Sequence, residues 1–164
     1  MRALTRLSVA TLLLGLSGCA ADPPADMARE TPPVHVPAGY DSAVATPLIV
    51  LLHGYTLSGE GQDAYMGLSD LVDDYGFLMA APDGTKENGP DENRFWNASR
   101  SCCNFFESEV DDSTYLADLI DSIKGDYNVD DTRVFLVGHS NGGFMSYRMA
   151  HDHSDTIAAI ASLA

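Results

Sequence analysis

A parallel α/β sheet with flanking helices is the fold the sequence predicts, and three observations predict it. Continuous apolar runs such as "LIVLLHG" (residues 48–54), "FLMAAPDG" (77–84) and "RVFLVGHS" (133–140) end in a glycine or a turn, as strands buried on both faces do. Stretches with helical apolar spacing alternate with those runs, the pattern of βα units. A serine flanked by glycines stands where the third run meets the third helical stretch. The 164 residues, 45% of them hydrophobic, suffice for one core and fit one domain better than two.

The elements follow in chain order. "MRALTRLSVATLLLGLSGCA" reads as a targeting segment outside the fold: Arg2 and Arg6 make a positive n-region, and residues 9–16 are apolar. That run is too short for a bilayer, which needs about 20 apolar residues. "LSGC" (16–19) resembles the bacterial lipobox, in which the cysteine, here Cys19, is lipidated and becomes the first mature residue. An ordinary signal peptide with small residues at its cleavage site is the alternative, and either one means export. The expected boundaries are a lipoprotein-type signal peptide over 1–18, a Pro-rich tether with a lead-in strand over 19–46, and the domain itself over 47–164. Residues 20–47 hold six of the eight prolines, leaving room for one short strand at 34–36.

After the first buried run, "QDAYMGLSDLVDDYG" spaces Ala64, Leu68, Leu71, Val72 and Tyr75 at helical intervals and closes on Gly76. A long polar segment, 85–109, follows the second run and holds Trp96, Cys102 and Cys103; loops of this length in compact domains tend to be functional. Leu116, Leu119, Ile120 and Ile123 then share one helical face, with Asp111 and Asp112 suited to its N-terminus. The third run, a helix over "NGGFMSYRMAHDHSD" and a fourth strand, "IAAIASLA", complete the pattern.

Charge narrows the function. Acidic residues number 24 against 9 basic, the formal charge is −15, and the lysines are Lys86 and Lys124. Such a surface repels phosphate backbones and anionic headgroups, so no nucleic acid is expected as a partner, and a membrane only through a lipid anchor at Cys19. Solubility is the plain reading of the charge. With Cys19 lipidated, Cys102 and Cys103 remain as an adjacent pair: bridged in a small ring, left as two buried thiols, or paired elsewhere. No CxxC spacing or histidine at ligand distance points to a metal.

The chemistry concentrates at "GHSNG" (138–142), a G-x-S-x-G sequence between an expected strand and an expected helix. A nucleophile held above a sheet needs a turn so tight that its neighbours lack side chains, which accounts for Gly138 and Gly142. Ser140 then opens a helix, whose free N–H groups favour a developing oxyanion, and the Asn141 N–H is one such donor. "LLHGYTLSG" (51–59) supplies the second expected donor, the N–H of Tyr55, at the carboxyl end of an adjacent strand.

Taken together, "PLIVLLHGYTLSGEGQDAYMGLSDLVDDYGFLMAAPDGT", "RFWNAS", "SCCNF" and "VFLVGHSNGGFMSYRMA" resemble the α/β-hydrolase family, in particular its polyhydroxybutyrate-depolymerase-like and feruloyl-esterase-like secreted esterases. The resemblance runs from about residue 34 to 164. It implies hydrolysis of carboxylic esters through an acyl-serine at Ser140, an oxyanion hole from Tyr55 and Asn141, and neither metal nor organic cofactor. The implied substrates are hydroxyalkanoate, feruloyl or acetyl esters, free or attached to a polysaccharide or polyester. Trp96 is a candidate wall for an acyl pocket, although a buried structural tryptophan is the reading the residues favour.

The partners of the serine are harder to place. In this fold the acid and then the histidine follow the serine. The 24 residues after Ser140 offer His151, His153, Asp152 and Asp155. At about 1.5 Å per residue, both histidines lie roughly 16–20 Å along the helix from the serine, beyond its reach. His139 precedes the serine and should point elsewhere, and His53 is a weak contender for the base. The expectation is an incomplete α/β-hydrolase fold, with C-terminal strands and helices missing and the triad Asp and His beyond residue 164, so that these residues alone are inactive or nearly so. Two other readings stand beside it: a non-catalytic surface-tethered binding module, and a peptidase or thioesterase on the same fold.

Overall fold

The computed structural model describes residues 29–163. Its strands are β1 (Val34–His35), β2 (Thr46–Leu52), β3 (Leu78–Ala80), β4 (Thr85–Lys86), β5 (Arg94–Phe95), β6 (Val129–His139) and β7 (Ala159–Leu163). Its α-helices are α1 (Gly59–Met66), α2 (Val72–Tyr75), α3 (Asp112–Asp126) and α4 (Asn141–Asp152). Five strands form one sheet in the order β1-β3-β2-β6-β7, while β4 and β5 pair as a separate two-stranded ribbon. In the five-stranded sheet β2 runs parallel to β3 and β6, and β6 parallel to β7, while β1 is antiparallel to β3.

Both faces of the central strands are covered. Leu48, Val50 and Leu52 of β2 pack with Leu116, Ile120 and Ile123 of α3 and with Met145 and Met149 of α4. Leu51 and Met79 belong to a smaller cluster on the other side, with Val72 and Phe77. Each such large apolar side chain contributes about 1.5–3 kcal/mol on burial, so the two layers supply the main stabilising term. The spacing that predicts α3 is realised in full: Leu116, Leu119, Ile120 and Ile123 are all buried.

Strand order decides where a ligand can sit. From β2 the chain moves outward to β3 on one side, then returns to lay β6 and β7 on the other. The sequence order therefore reverses between β2 and β6. In open α/β sheets, the crevice beyond the carboxyl ends of such a pair is the usual binding place. Tyr55 follows β2 there, and Ser140 follows β6.

Two local expectations differ from what the structure holds. The stretch expected as one helix closing at Gly76 is divided: α1 ends at Gly67, in the left-handed conformation at φ 69°, and a 3₁₀ turn leads into the short α2. Ser58 starts α1 by accepting from the Gly61 N–H, so the helix begins earlier than the apolar spacing suggests. Of the five residues expected on its inner face only Val72 is buried; Ala64, Leu71 and Tyr75 are exposed. The lead-in is also more engaged than a tether. Arg29 stands over the Tyr115 ring at 4.0 Å and pairs with the buried Asp112 carboxylate at 2.5 Å. The expected signal segment and Cys19 lie outside the described residues.

β7 is covered far less than β2. Ala159, Ala161 and Leu163 are exposed, as are Phe144 and Tyr147 of the adjacent α4. Among the described residues nothing pairs with the outer edge of β7.

Candidate active site

Ser140 sits between β6 and α4 with φ 51° and ψ −117°, a conformation L-residues rarely adopt. Such backbone is strained by about 1–3 kcal/mol and persists only when its surroundings fix it. They do so here. The Ser140 N–H donates to the Leu163 carbonyl at 2.7 Å, and its own carbonyl accepts from the Phe144 N–H at 3.1 Å. A Cβ on Gly138 would lie 2.2 Å from the Gly142 oxygen, and one on Gly142 would lie 2.2 Å from the Leu52 oxygen. The two glycines of the motif are thus required by close backbone approach, at φ values any residue can adopt. Ser140 itself is half-buried, which leaves its hydroxyl within reach of a ligand.

The loop after β2 lies against this corner. A Cβ on Gly54 would be 3.3 Å from His139 Nδ1 and 3.5 Å from the Ser140 Cβ, so the two loops approach each other closely here. The Gly54 N–H donates to the Gln62 side-chain oxygen at 3.0 Å. The Gly54 carbonyl accepts from His53 Nδ1 at 2.7 Å and from the Leu57 N–H at 3.2 Å. A trans peptide directs its N–H opposite to its carbonyl. With the Gly54 carbonyl held by His53, the Tyr55 N–H therefore faces away from that histidine. The Asn141 N–H belongs to the first turn of α4, where no intrahelical acceptor exists.

Side chains behind the two loops are engaged with each other. Tyr55 Oη donates to Glu87 Oε2 at 2.8 Å, and its ring meets Phe105 edge-on at 5.3 Å. Burial, then the bond to Glu87, push the Tyr55 hydroxyl above its ordinary value. Trp96, fully buried, donates its indole N–H to the His53 carbonyl at 3.1 Å and is a core residue, not a pocket wall. Asn141 is equally buried, and its side chain exchanges two hydrogen bonds with the Trp96 backbone.

None of the described histidines serves Ser140 as a base. His53 is fully buried: Nδ1 donates to Gly54 and Nε2 accepts from the Gly84 N–H at 2.8 Å, so both nitrogens are taken. Burial lowers its pKa to about 4 and keeps it neutral. His153 caps the end of α4, with Nε2 3.1 Å from Ser113 Oγ, and His151 is exposed beside Asp152. That bond to His151 leads the causes that lower the Asp152 carboxyl to about 2. The His139 ring faces Tyr65, tilted, at 5.9 Å.

Cys102 and Cys103 are bridged to each other, which settles the alternatives left by their spacing. The bridge lies beside the corner, with Cys102 Sγ 3.7 Å from Asn141 Nδ2. Beyond it opens a polar cleft of about 550 Å³, lined by Asn97, Ser99, Arg100, Asn104, Glu107 and Ser108. Sequence reasoning missed the Asn141–Trp96 contact, because nothing in the spacing of residues 45 apart announces it. Among the described residues no group of three or more His, Cys, Asp or Glu could hold a metal ion.

A strand-turn-helix serine at the switch point of a mostly parallel sheet defines the α/β-hydrolase class. The known proteins similar to this chain agree. An acetyl xylan esterase from Aspergillus awamori superposes with a TM-score of 0.59 at 25% identity, over 77% of this chain and 43% of that one. Poly(3-hydroxyalkanoate) depolymerase C of Paucimonas lemoignei is 30% identical over 135 residues, covering 79% of this chain and 30% of that protein. A bifunctional acetylxylan esterase/xylanase of Neocallimastix patriciarum is 28% identical over 128 residues, covering 78% of this chain. The chain spans 30% and 17% of the lengths of these two curated relatives. The family model described as chlorophyllase matches residues 25–164, and the chain belongs to that family of α/β-hydrolases.

Proposed function

We propose that Ser140 is the nucleophile of a carboxylic ester hydrolase, with the backbone N–H groups of Tyr55 and Asn141 as its oxyanion hole. The observation that carries this reading is the backbone of Ser140, held at φ 51° at the head of α4 with Gly54 against it. Ser140 Oγ attacks the ester carbonyl and its proton passes to a histidine base. The oxyanion collapses and expels the alcohol, which takes that proton. Water then attacks the acyl-serine, returning a proton to Oγ as the acid leaves. The base and its carboxylate partner are assigned to a longer chain that packs along the exposed edge of β7. The half-open apolar surface of Phe144, Tyr147 and Leu163 supports that placement, as does the greater length of the relatives. Substrates of the hydroxyalkanoate or acetyl class are supported by the relatives' names, and the polar cleft beside the disulfide suits a hydroxyl-rich alcohol. Export through the leader, with lipid attachment at Cys19, belongs to the same reading; no described helix is long and apolar enough to cross a membrane.

A fluorophosphonate probe tests the assignment. Applied to cells expressing the natural gene, it should label the wild-type protein and leave Ser140→Ala unlabelled, with esterase activity lost by at least ~1000-fold. Labelled protein should fractionate with membranes and become soluble in Cys19→Ala. Labelling that survives Ser140→Ala would remove the nucleophile assignment. A wild type that folds yet never labels would favour a binding module, and turnover of peptides or thioesters over oxygen esters would redirect the substrate class.

A further inference from the structure

Three fully buried polar or aromatic residues, Asn141, Trp96 and His53, are joined in one chain of hydrogen bonds beneath the corner. Asn141 Oδ1 accepts from the Trp96 N–H at 2.6 Å, and Asn141 Nδ2 donates to the Trp96 carbonyl at 2.9 Å. The Trp96 indole donates to the His53 carbonyl, and the His53 ring donates to the Gly54 carbonyl at 2.7 Å. The far side of the same ring is held by the Gly84 N–H. One end of this chain is the residue whose N–H opens α4; the other is the peptide that carries the Tyr55 N–H.

We propose that the Asn141 side chain, Trp96 and His53 are positioning residues that fix the two oxyanion donors relative to each other. The inference rests on the oxyanion assignment above and deepens it. The two donors lie on separate elements, one after β2 and one after β6, and a hydrogen-bonded oxyanion demands that both point at one spot. Pairing between β2 and β6 ends at Leu52–Gly138, before either donor is reached. The buried chain takes over at that point. Low local polarity strengthens each of its bonds and makes loss of any one partner costly, because the remaining group stays buried and unpaired. Each member is used at both ends: the Asn141 amide makes two bonds to one residue, and each His53 nitrogen has its own partner. Such a chain transmits position and leaves no group free for proton transfer.

The test uses the whole protein as its natural gene encodes it, with p-nitrophenyl acetate as substrate and an arylboronic acid as tetrahedral mimic of the oxyanion state. Asn141→Asp keeps the acceptor for the Trp96 N–H and removes the donor to the Trp96 carbonyl. It should lower kcat by roughly 10–100-fold, hold KM within about threefold, and weaken boronate binding by the same factor as kcat. Trp96→Phe keeps both backbone bonds to Asn141 and removes only the indole bond; a loss of roughly 3–10-fold in kcat and boronate affinity together is expected. A purely structural role would reduce the active fraction, lowering apparent kcat while boronate affinity stays unchanged. That result overturns the proposal, as does a variant within twofold of wild type in both. If Asn141→Asp fails to fold, Trp96→Phe decides by the same two readings. Ser140→Ala, run alongside, isolates the underlying assignment: a dead Ser140→Ala with unperturbed Asn141→Asp and Trp96→Phe sinks the positioning role alone.

Discussion

At Gly142 two ordinary rules oppose each other. In a helix, alanine is favoured over glycine by about 1 kcal/mol, so propensity alone expects Gly142→Ala to stabilise α4. The structure gives the opposite sign. The added methyl would meet the Leu52 oxygen at 2.2 Å and the His53 oxygen at 2.7 Å, backbone atoms at the end of β2 and the start of the other loop. Backbone cannot turn aside as a side chain can, and overpacking of this kind costs about 1–3 kcal/mol or more. Gly142→Ala should therefore lower Tm by several degrees and separate the two loops; an unchanged or raised Tm would show that the contact relaxes cheaply. Ser140 presents the complementary case, an L-residue kept in a glycine-like conformation by two backbone hydrogen bonds. Steric need explains the glycines, and location explains the serine.

α3 shows how an element joins local signals to tertiary ones. Asp111 caps it, accepting from the Thr114 N–H at 3.2 Å and from its hydroxyl at 2.7 Å, and those bonds lead the causes that hold the Asp111 carboxyl below its usual value. Removing the cap in Asp111→Ala should cost about 1 kcal/mol, read from urea midpoints, while Asp111→Asn, also a good cap, should keep most of it. Equal losses in both would mean that the ion pair with Arg148, not the cap, is what matters. Asp112, one residue on, stands in the first turn of the same helix as expected, but its carboxylate is buried, accepting from the Asn97 N–H at 2.6 Å and meeting Arg29. Two adjacent aspartates look alike in sequence, and only packing separates a solvent-facing cap from the anchor of a distant loop. The segment holding the Cys102–Cys103 bridge follows the same logic: Asn97 and Asn104 tie it internally, with Asn104 donating to Asn97 at 3.1 Å.

For the molecule as a whole, pH reports on the buried network. The unfolded chain binds a proton at residue 53 near 6.5, while the folded one does so only near 4. The unfolded state therefore holds more protons between those values, and folding stability rises with pH across that window. The contribution is complete above about 6.5 and is lost as pH falls towards 4, with a slope of up to about 1.4 kcal/mol per unit and a total near 3 kcal/mol. Below that, Asp130 and Asp152, each lowered to about 2, continue the loss in the same direction as they protonate. Urea midpoints measured from pH 4 to 7 should climb in the wild type and flatten in His53→Gln; parallel curves would mean that His53 is not the group titrating. The formal charge of −15 makes self-repulsion a background term, so both proteins are compared at one ionic strength.

The sequence by itself determined the doubly buried strands, the apolar face of α3, the serine corner and the family resemblance, because each is written in contiguous residues. Periodicity, glycine spacing and helix-end chemistry act over a few positions, and those positions can be read directly. It did not determine the strand order β1-β3-β2-β6-β7, which alone brings the loop after β2 to the loop after β6. Nor did it reveal that Asn141 grips Trp96, that His53 has both nitrogens occupied, or that Arg29 reaches into the core beside Asp112. Those are contacts between residues 31 to 83 positions apart, for the histidine to Gly84, the asparagine to Trp96 and the arginine to Asp112. The division at Gly67 is not legible in the sequence for a related reason. A glycine inside a helical pattern can be tolerated or can end the helix, and the choice falls to whichever side chains find a buried surface. Local propensity sets what each segment can become, and burial against distant segments selects which of those options the chain adopts.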